Sequence, residues 1–173
     1  MRLEDLKRVI NPSETGGTLA REIKGRAFTS ASLKGKVVVI EFLLTTCPGC
    51  QDSARILSKL QTEYGPKGLQ VIGLAIDPEA AFKLKEFTTL YATTFPVGLY
   101  GYTETRKWLQ MPEHLRLMMP AIAIVDRAGM VREQHPGDDR PWADDKEKNL
   151  RATIQALLAE KAAPAPRKAA PKK

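Results

Sequence analysis

The chain has 173 residues, 43% of them hydrophobic and 27% charged, which is normal for one globular domain and excludes wholesale disorder, a collagen-like repeat and a disulfide-stapled scaffold. The formal net charge of +7 invites a nucleic-acid or anionic-membrane interpretation, but residues 161–173 carry five of the positive charges and no acid, which leaves +2 for residues 1–160. This Pro/Ala/Lys segment cannot bury a core, so we predict a disordered basic tail and no specific nucleic-acid binding.

The chain begins with a mixed polar segment. Leu3, Leu6 and Ile10 predict one face of a short helix that ends before Pro12, and residues 1–25 are interpreted as an N-terminal extension. This segment has neither the apolar region nor the small-residue cleavage site of a secretory signal. The sequence therefore predicts no transmembrane segment and a cytoplasmic protein, or a periplasmic one if a leader has been removed.

Two strand–helix units follow a turn at residues 33–36. The run Val37–Leu44 is apolar and β-branched with one acid inside, and Leu69–Ile76 is a second apolar run, so both are predicted to be buried strands. A helical pattern follows each strand, and Asp77 is expected to be the N-cap of the second helix. The predicted apolar positions of that helix are Phe82, Phe87, Leu90 and Tyr91.

The C-terminal third predicts a hairpin between helices. A helical segment is expected near Glu104–Leu109, and the strands Ala121–Val125 and Met130–Gln134 flank a turn at Asp126–Gly129. A final helix is predicted over Lys146–Glu160. The order of these elements indicates an α/β fold whose sheet contains parallel strands from the two strand–helix units and antiparallel strands from the hairpin.

The two cysteines of the chain, Cys47 and Cys50, lie between the first strand and the first helix. Their spacing lets the two sulfurs meet across the first helical turn. A helix N-terminus offers unpaired N–H groups and the positive end of the dipole, which favours a thiolate at the first cysteine. The second cysteine can then attack a mixed disulfide at the first. A C-x-x-C motif in this position is a strong redox signal.

Two other interpretations of the cysteine pair are weaker. Half of a zinc site would need two more ligands, and His114 and His135 are distant and lack the spacing of zinc modules. His135 is instead expected to be a turn residue. A pair of inert core cysteines does not fit a strand-end loop that contains Pro-Gly. We therefore predict no metal and no cofactor.

The segments FTSASLKGKVVVIEFLLTTCPGC and MMPAIAIVDRAGMVREQHPG, together with TFPV at residues 94–97, resemble thioredoxin-like domains of the TlpA/ResA type, within the broader redoxin or AhpC/TSA group. The resemblance covers about residues 26–160. It implies a thioredoxin fold, with a central mixed β-sheet flanked by helices on both faces. It also implies a thiol–disulfide oxidoreductase that takes a protein or small-molecule thiol or disulfide as its substrate, and we expect a monomer.

The resemblance also implies roles for particular residues. Cys47 matches the exposed attacking cysteine and Cys50 the resolving one. Pro120 matches a cis-proline beside the disulfide, and Met119 before it would offer backbone groups to a bound substrate. The residues predicted to bind substrate are Thr46, Pro48, Gly49, Met119 and Pro120.

Glu41 lies six residues before Cys47, where thioredoxins hold a buried Asp, and is the third predicted catalytic residue. A carboxylate inside an apolar strand is desolvated and can accept a proton from the resolving cysteine near neutral pH. The alternative is a solvated position at the sheet edge. Three features depart from the family: Thr46 replaces an aromatic residue, Pro48-Gly49 stands where thioredoxin has Gly-Pro, and the segment 104–118 is longer and more basic than expected. That segment is interpreted either as a substrate-facing insertion or as a solvated helix.

A thiol peroxidase of the AhpC/TSA type is the alternative function. Its P-x-x-x-T-x-x-C pattern is missing, because Ile40 and Leu44 occupy the proline and threonine positions. A third possibility is a binding module, with the dithiol holding a metal or the tail holding a polyanion. No cluster of ligands or folded basic patch supports it.

Overall fold

The computed structural model describes residues 33–137 and 139–160, so the predicted N-terminal extension and basic tail lie outside the described residues. The strands are β1 (Val37–Leu43), β2 (Leu69–Ala75), β3 (Val97–Leu99), β4 (Ala121–Val125) and β5 (Val131–His135). The α-helices are α1 (Pro48–Tyr64), α2 (Ala80–Leu90), α3 (Tyr102–Trp108), α4 (Arg140–Asp144) and α5 (Lys146–Ala159), and a short 3-10 helix (Gly65–Lys67) follows α1.

Within the described ranges the strands form one mixed sheet in the order β3-β2-β1-β4-β5. β1, β2 and β3 are parallel because each is joined to the next through a helix. β4 runs antiparallel to β1, and β5 antiparallel to β4. β1 is therefore the central strand, and its carboxyl end, where Cys47 follows, lies in the middle of one sheet edge.

Alternate residues of β1 supply two core layers on opposite faces of the sheet. The odd-numbered residues pack in the layer that contains the buried sides of α1, α2 and α5. The even-numbered residues pack against Trp108 at the end of α3 and Leu117 in the segment after it. All seven residues of β1 are buried. Helices thus flank both faces, as predicted, and Glu41 lies on the face covered by α1.

Several predicted elements differ from the structure. The short strand β3 and the five-residue helix α4 were not predicted. The Met130–Gln134 strand is displaced by one residue, so His135 ends a strand and is not a turn residue. On α2, Phe82 is 89% exposed, and Leu90 is also exposed, whereas Leu84 is buried beside Phe87. The apolar face assigned to this helix was therefore half wrong.

Asp77 is not the N-cap of α2, and that prediction is wrong. The helix begins at Ala80, and the residue before it, Glu79, makes no side-chain cap hydrogen bond. Both carboxylate oxygens of Asp77 accept hydrogen bonds from Thr45 instead, one from the amide and one from the hydroxyl, each at 2.8 Å. Asp77 therefore makes a tertiary contact between the ends of β1 and β2 and does not cap a helix.

Candidate active site

Cys47 occupies the N-cap position of α1. Its backbone is extended, its carbonyl oxygen accepts hydrogen bonds from the amides of Cys50 and Gln51 at 3.0 Å, and Pro48 is the first helical residue. The Cys47 side chain makes no cap hydrogen bond. Its sulfur is therefore left available at the helix N-terminus, and Cys47 is partly exposed.

Cys50 is buried beneath Cys47, and both thiols are free. The backbone amide of Leu44, just after β1, donates a hydrogen bond to the Cys50 sulfur at 3.5 Å. Burial raises the pKa of the Cys50 thiol well above its ordinary value, and the neighbouring Glu41 raises it further. Cys50 can therefore react as a thiolate near neutral pH only if a nearby group takes its proton.

Glu41 is fully buried in the centre of the sheet, where its strand neighbours are Gly73 of β2 and Ile122 of β4. The solvated edge position is thus excluded. Neither carboxylate oxygen has a partner with ordinary hydrogen-bond geometry among the described residues, although the Ser53 hydroxyl lies close enough to act on the carboxyl group. Burial raises the pKa of Glu41 from 4.5 to about 8, while the Ser53 hydroxyl and the positive charge of Lys146 lower it in part. A carboxyl group with this pKa exchanges a proton near neutral pH.

The loop before β4 lies against the cysteine pair. The Met119–Pro120 peptide bond is cis, and the Cys47 thiol lies 3.8 Å from the Met119 carbonyl oxygen, to which it donates. Gly49 lies beside Pro120, where a Cβ on it would make an ordinary van der Waals contact of 3.4 Å with the proline Cδ. Thr46, Pro48 and Gly49 are exposed around the sulfur. The structure therefore brings Cys47 and the predicted substrate-binding residues together at one end of the sheet, with Cys50 beneath Cys47 and Glu41 deeper in the central strand.

Two supporting residues were missed. Asp77 holds Thr45, two residues before Cys47, by the hydrogen bonds described above. Gly137 lies against the loop before β4: its amide donates to the Met118 carbonyl at 3.2 Å, and a Cβ on it would lie only 2.7 Å from the Met119 backbone. The signal for Asp77 was available, because the carboxyl ends of neighbouring parallel strands meet at the same sheet edge.

The segment after α3 is anchored by one side chain. The Arg106 guanidinium donates hydrogen bonds to the carbonyl oxygens of Pro112, Glu113 and Leu115 at 2.7–3.3 Å. Of the segment 104–118 discussed above, only the first part is helical, since α3 ends at Trp108. The exposed His114 belongs to this segment and lies outside the predicted site. The helix predicted near Glu104–Leu109 is thus present as α3, and an irregular loop held by Arg106 follows it.

His135 lies at the end of β5, and its ring stacks on Trp142 with 3.9 Å between ring centroids. Its two ring nitrogens lie 2.9 Å and 3.0 Å from carboxylate oxygens of Asp139 and Glu133. These contacts tie β5 to the segment before α4. Among the residues described, no group of three or more His, Cys, Asp or Glu side chains could hold a metal ion.

The fold and this site together define a class of protein. A mixed sheet with a C-x-x-C pair at the start of the helix after its central strand, and with a cis-proline beside that pair, is a thioredoxin-like redox domain. None of the helices in the described ranges is long and apolar enough to cross a membrane.

The Redoxin family profile matches residues 17–154, and the chain belongs to this family. It is 26% identical over 134 residues to the thiol-disulfide oxidoreductase ResA of Bacillus thuringiensis, covering 72% of this chain and 69% of that relative. It is 30% identical over 118 residues to ResA of Halalkalibacterium halodurans, covering 67% and 62% of the two chains. These similarities confirm the predicted TlpA/ResA-type domain and the oxidoreductase class.

Solved structures agree on the fold. A putative thiol:disulfide interchange protein DsbE from Chlorobium tepidum superimposes with a TM-score of 0.67 at 25% identity, covering 82% of this chain and 92% of its own. A thiol-disulfide isomerase from Corynebacterium glutamicum superimposes with a TM-score of 0.63 at 24% identity, covering 83% and 94%. The predicted thioredoxin fold is confirmed.

Proposed function

We propose that the protein is a thiol–disulfide oxidoreductase in which Cys47 attacks, Cys50 resolves and Glu41 accepts the Cys50 proton. The observation that carries this assignment is the difference in exposure between the two sulfurs. Cys47 is reachable from solvent and lies at a helix N-terminus, whereas Cys50 is buried beside a carboxyl group. A large partner can therefore meet only Cys47.

The reaction in the reducing direction balances in two steps. The Cys47 thiolate attacks one sulfur of a substrate disulfide, which forms a mixed disulfide and releases the first substrate thiolate to take a proton from water. Cys50 then passes its proton to Glu41, and its thiolate attacks the Cys47 sulfur. This closes the Cys47–Cys50 disulfide and releases the second substrate thiolate. Two electrons pass from the protein dithiol to the substrate.

Substrate binding is assigned to the surface around Cys47. The exposed Thr46, Pro48 and Gly49 lie on one side of the sulfur, and Met119 and Pro120 lie on the other. The proposed substrate is a protein thiol or disulfide; thiol–disulfide exchange is the activity in the names of the relatives ResA and DsbE. A small-molecule disulfide fits the same exposed sulfur.

A trapping experiment tests the assignment. Reduced Cys50→Ser is mixed with a disulfide-containing protein, and adducts are resolved by non-reducing electrophoresis and mass spectrometry. We expect a stable mixed disulfide through Cys47, because no resolving thiol remains. Cys47→Ser is the matched control, and it should form no adduct since Cys50 is buried. Absence of any adduct with Cys50→Ser, or rapid sulfenic acid formation at Cys47 with hydrogen peroxide, would contradict the proposal.

The direction of electron flow follows from the redox potential of the Cys47–Cys50 pair. A value near about −270 mV corresponds to a reductant and one near about −120 mV to a strong oxidant. Equilibration with glutathione buffers measures it. The compartment, cytoplasmic or periplasmic after removal of a leader, decides which redox pool the protein meets, and cell fractionation of the tagged full chain determines it.

A further inference from the structure

Ser53 is a buried hydroxyl group without a partner in the described part of the chain. It is fully buried on the inner face of α1, one helical turn after Cys50. A buried hydroxyl without a hydrogen bond destabilises the folded protein, so its presence calls for an explanation. The other unpaired polar group in this layer is the Glu41 carboxyl, which β1 presents to α1.

Glu41 is surrounded by two helices and two strands, which contribute different kinds of groups. Helix α1 presents Cys50 and Ser53, and α5 begins with the half-buried Lys146. The flanking strands contribute Gly73 and Ile122, which do not titrate. Ser53 and Lys146 both favour the ionised carboxyl, and burial opposes it. The environment of Glu41 is thus one-sided: its polar neighbours Cys50, Ser53 and Lys146 all come from α1 or α5.

An open cavity of about 320 Å³ lies on the α5 side of this cluster. Asp52, next to Ser53 in the chain, and Lys146 both line it. Water in the cavity can therefore reach Lys146, whose positive charge acts on Glu41, from a side other than the exposed Cys47.

We propose that Ser53 is a positioning residue for Glu41: the Ser53 hydroxyl donates a hydrogen bond to the carboxylate each time Glu41 ionises. This inference rests on the proposed function. In the resolving step the proton moves from the Cys50 sulfur to a Glu41 oxygen, and the Cys47–Cys50 bond forms as the bond to the substrate sulfur breaks. Glu41 then loses that proton to water, and the Ser53 hydroxyl turns to meet the restored carboxylate.

The resolving step can be observed alone with 5,5′-dithiobis(2-nitrobenzoate). The reduced protein releases one coloured thiolate when Cys47 is modified and a second when Cys50 resolves the mixed disulfide. Stopped-flow absorbance gives the rate of the second release as a function of pH on both sides of the Glu41 pKa of about 8. In this step Cys47 is blocked, so Glu41 and Cys50 are the groups that titrate.

Ser53→Ala should move the midpoint of this pH profile upward by about one unit, because a hydrogen bond to a charged group is worth about 1.5 kcal/mol or more. The second release then slows about tenfold below the midpoint. Lys146→Met should move the midpoint in the same direction by less. Glu41→Gln should remove this limb of the profile, and Ser53→Ala should have no further effect in that background.

Ser58→Ala is the matched control. Ser58 is a second buried serine of α1, and its hydroxyl oxygen accepts a hydrogen bond from the Thr94 amide instead of facing Glu41. This variant should keep the wild-type midpoint. An unchanged midpoint in Ser53→Ala, or an equal shift when Gln replaces Glu41, would overturn the inference.

A second readout does not depend on which step limits the rate. The infrared carbonyl band of a protonated carboxylic acid, identified as the band lost in Glu41→Gln, can be titrated directly in the reduced wild type and in Ser53→Ala. An upward shift supports the role of Ser53, and coincident titrations refute it. If the wild type never releases the second thiolate, the proposed function fails; if it does and both titrations coincide, only the role of Ser53 fails.

Discussion

Two neighbouring residues of β1, Phe42 and Glu41, face opposite sides of the same strand. Phe42 is fully buried among aromatic rings, with centroids of Tyr100 and Trp108 at 5.7 Å and 5.5 Å. Glu41 is equally buried, but its carboxyl group has no partner among the described residues. The first arrangement stabilises the fold and the second opposes it.

The difference shows where this domain tolerates an unfavourable environment. Among the described residues, the core layer covered by α3 is built from apolar side chains, with the indole N–H of Trp108 unpaired and the buried Thr105 hydroxyl bonded to the Gly101 carbonyl. The face covered by α1 contains Glu41, Ser53 and Cys50 directly beneath the exposed sulfur. Buried polar groups without partners concentrate at sites that need them for chemistry.

A large effect on stability is expected on the apolar face covered by α3. Phe42→Ala should lower the free energy of unfolding by about 3–5 kcal/mol, because it removes a buried ring and leaves a cavity between Tyr100 and Trp108. Urea denaturation measures the loss. The dithiol should retain its reactivity in the folded fraction, since Phe42 points away from it. If Phe42→Ala folded but Cys47 no longer reacted, the two faces of β1 would not be separate in function.

Glu41→Gln should have an effect on stability that depends on pH. In the unfolded chain Glu41 ionises above its ordinary pKa of 4.5, but in the folded protein it keeps its proton until about pH 8. The unfolded state therefore binds fewer protons in this range, and stability falls as pH rises. The wild type should lose up to about 1.4 kcal/mol per pH unit relative to Glu41→Gln.

Denaturation of wild type and Glu41→Gln at several pH values between 4.5 and 8 checks this expectation. The difference between the two free energies of unfolding should grow steadily toward the alkaline end. If the difference in the free energy of unfolding stayed constant with pH, Glu41 would be ionised in the folded protein over the whole range, as a solvated carboxylate is.

Asp77→Ala tests the contact between the carboxyl ends of β1 and β2. It removes both hydrogen bonds to Thr45, so the free energy of unfolding should fall by about 1–3 kcal/mol. The loop that carries Cys47 should also loosen, which slows attack on a substrate disulfide. Thiol-trapping kinetics measure the second effect. Glu79→Ala is the matched control, since Glu79 precedes α2 without capping it.

The smallest effect is expected for Phe82→Ala. This ring is 89% exposed on α2, whereas Phe87 on the same helix is 2% exposed. The first substitution should change the free energy of unfolding by less than about 0.5 kcal/mol, and Phe87→Ala should cost about 3–5 kcal/mol. Chemical denaturation of the two variants distinguishes them. Equal losses would mean that Phe82 is covered in solution.

The sequence-based predictions were correct where a single strong local pattern was present. The apolar run of β1 and the cysteine pair at the start of α1 determined the fold class and brought the predicted site residues together. The three-residue strand β3 contains a glycine and is too short for a periodic signal. The local rule for helix caps also misplaced Asp77, because a contact with Thr45 competed with it. Thr45 and Asp77 are 32 residues apart, so the sequence around Asp77 alone does not indicate this contact.

The position of Met119 next to Cys47 has a consequence for biosynthesis. The two residues are 72 positions apart in the chain, and Gly137, which packs behind the loop, comes later still. A ribosome therefore delivers both cysteines long before it delivers the segment that lies against them. During that interval the dithiol is open on the side that the loop later occupies, so the emerging chain is the stage most exposed to incorrect oxidation.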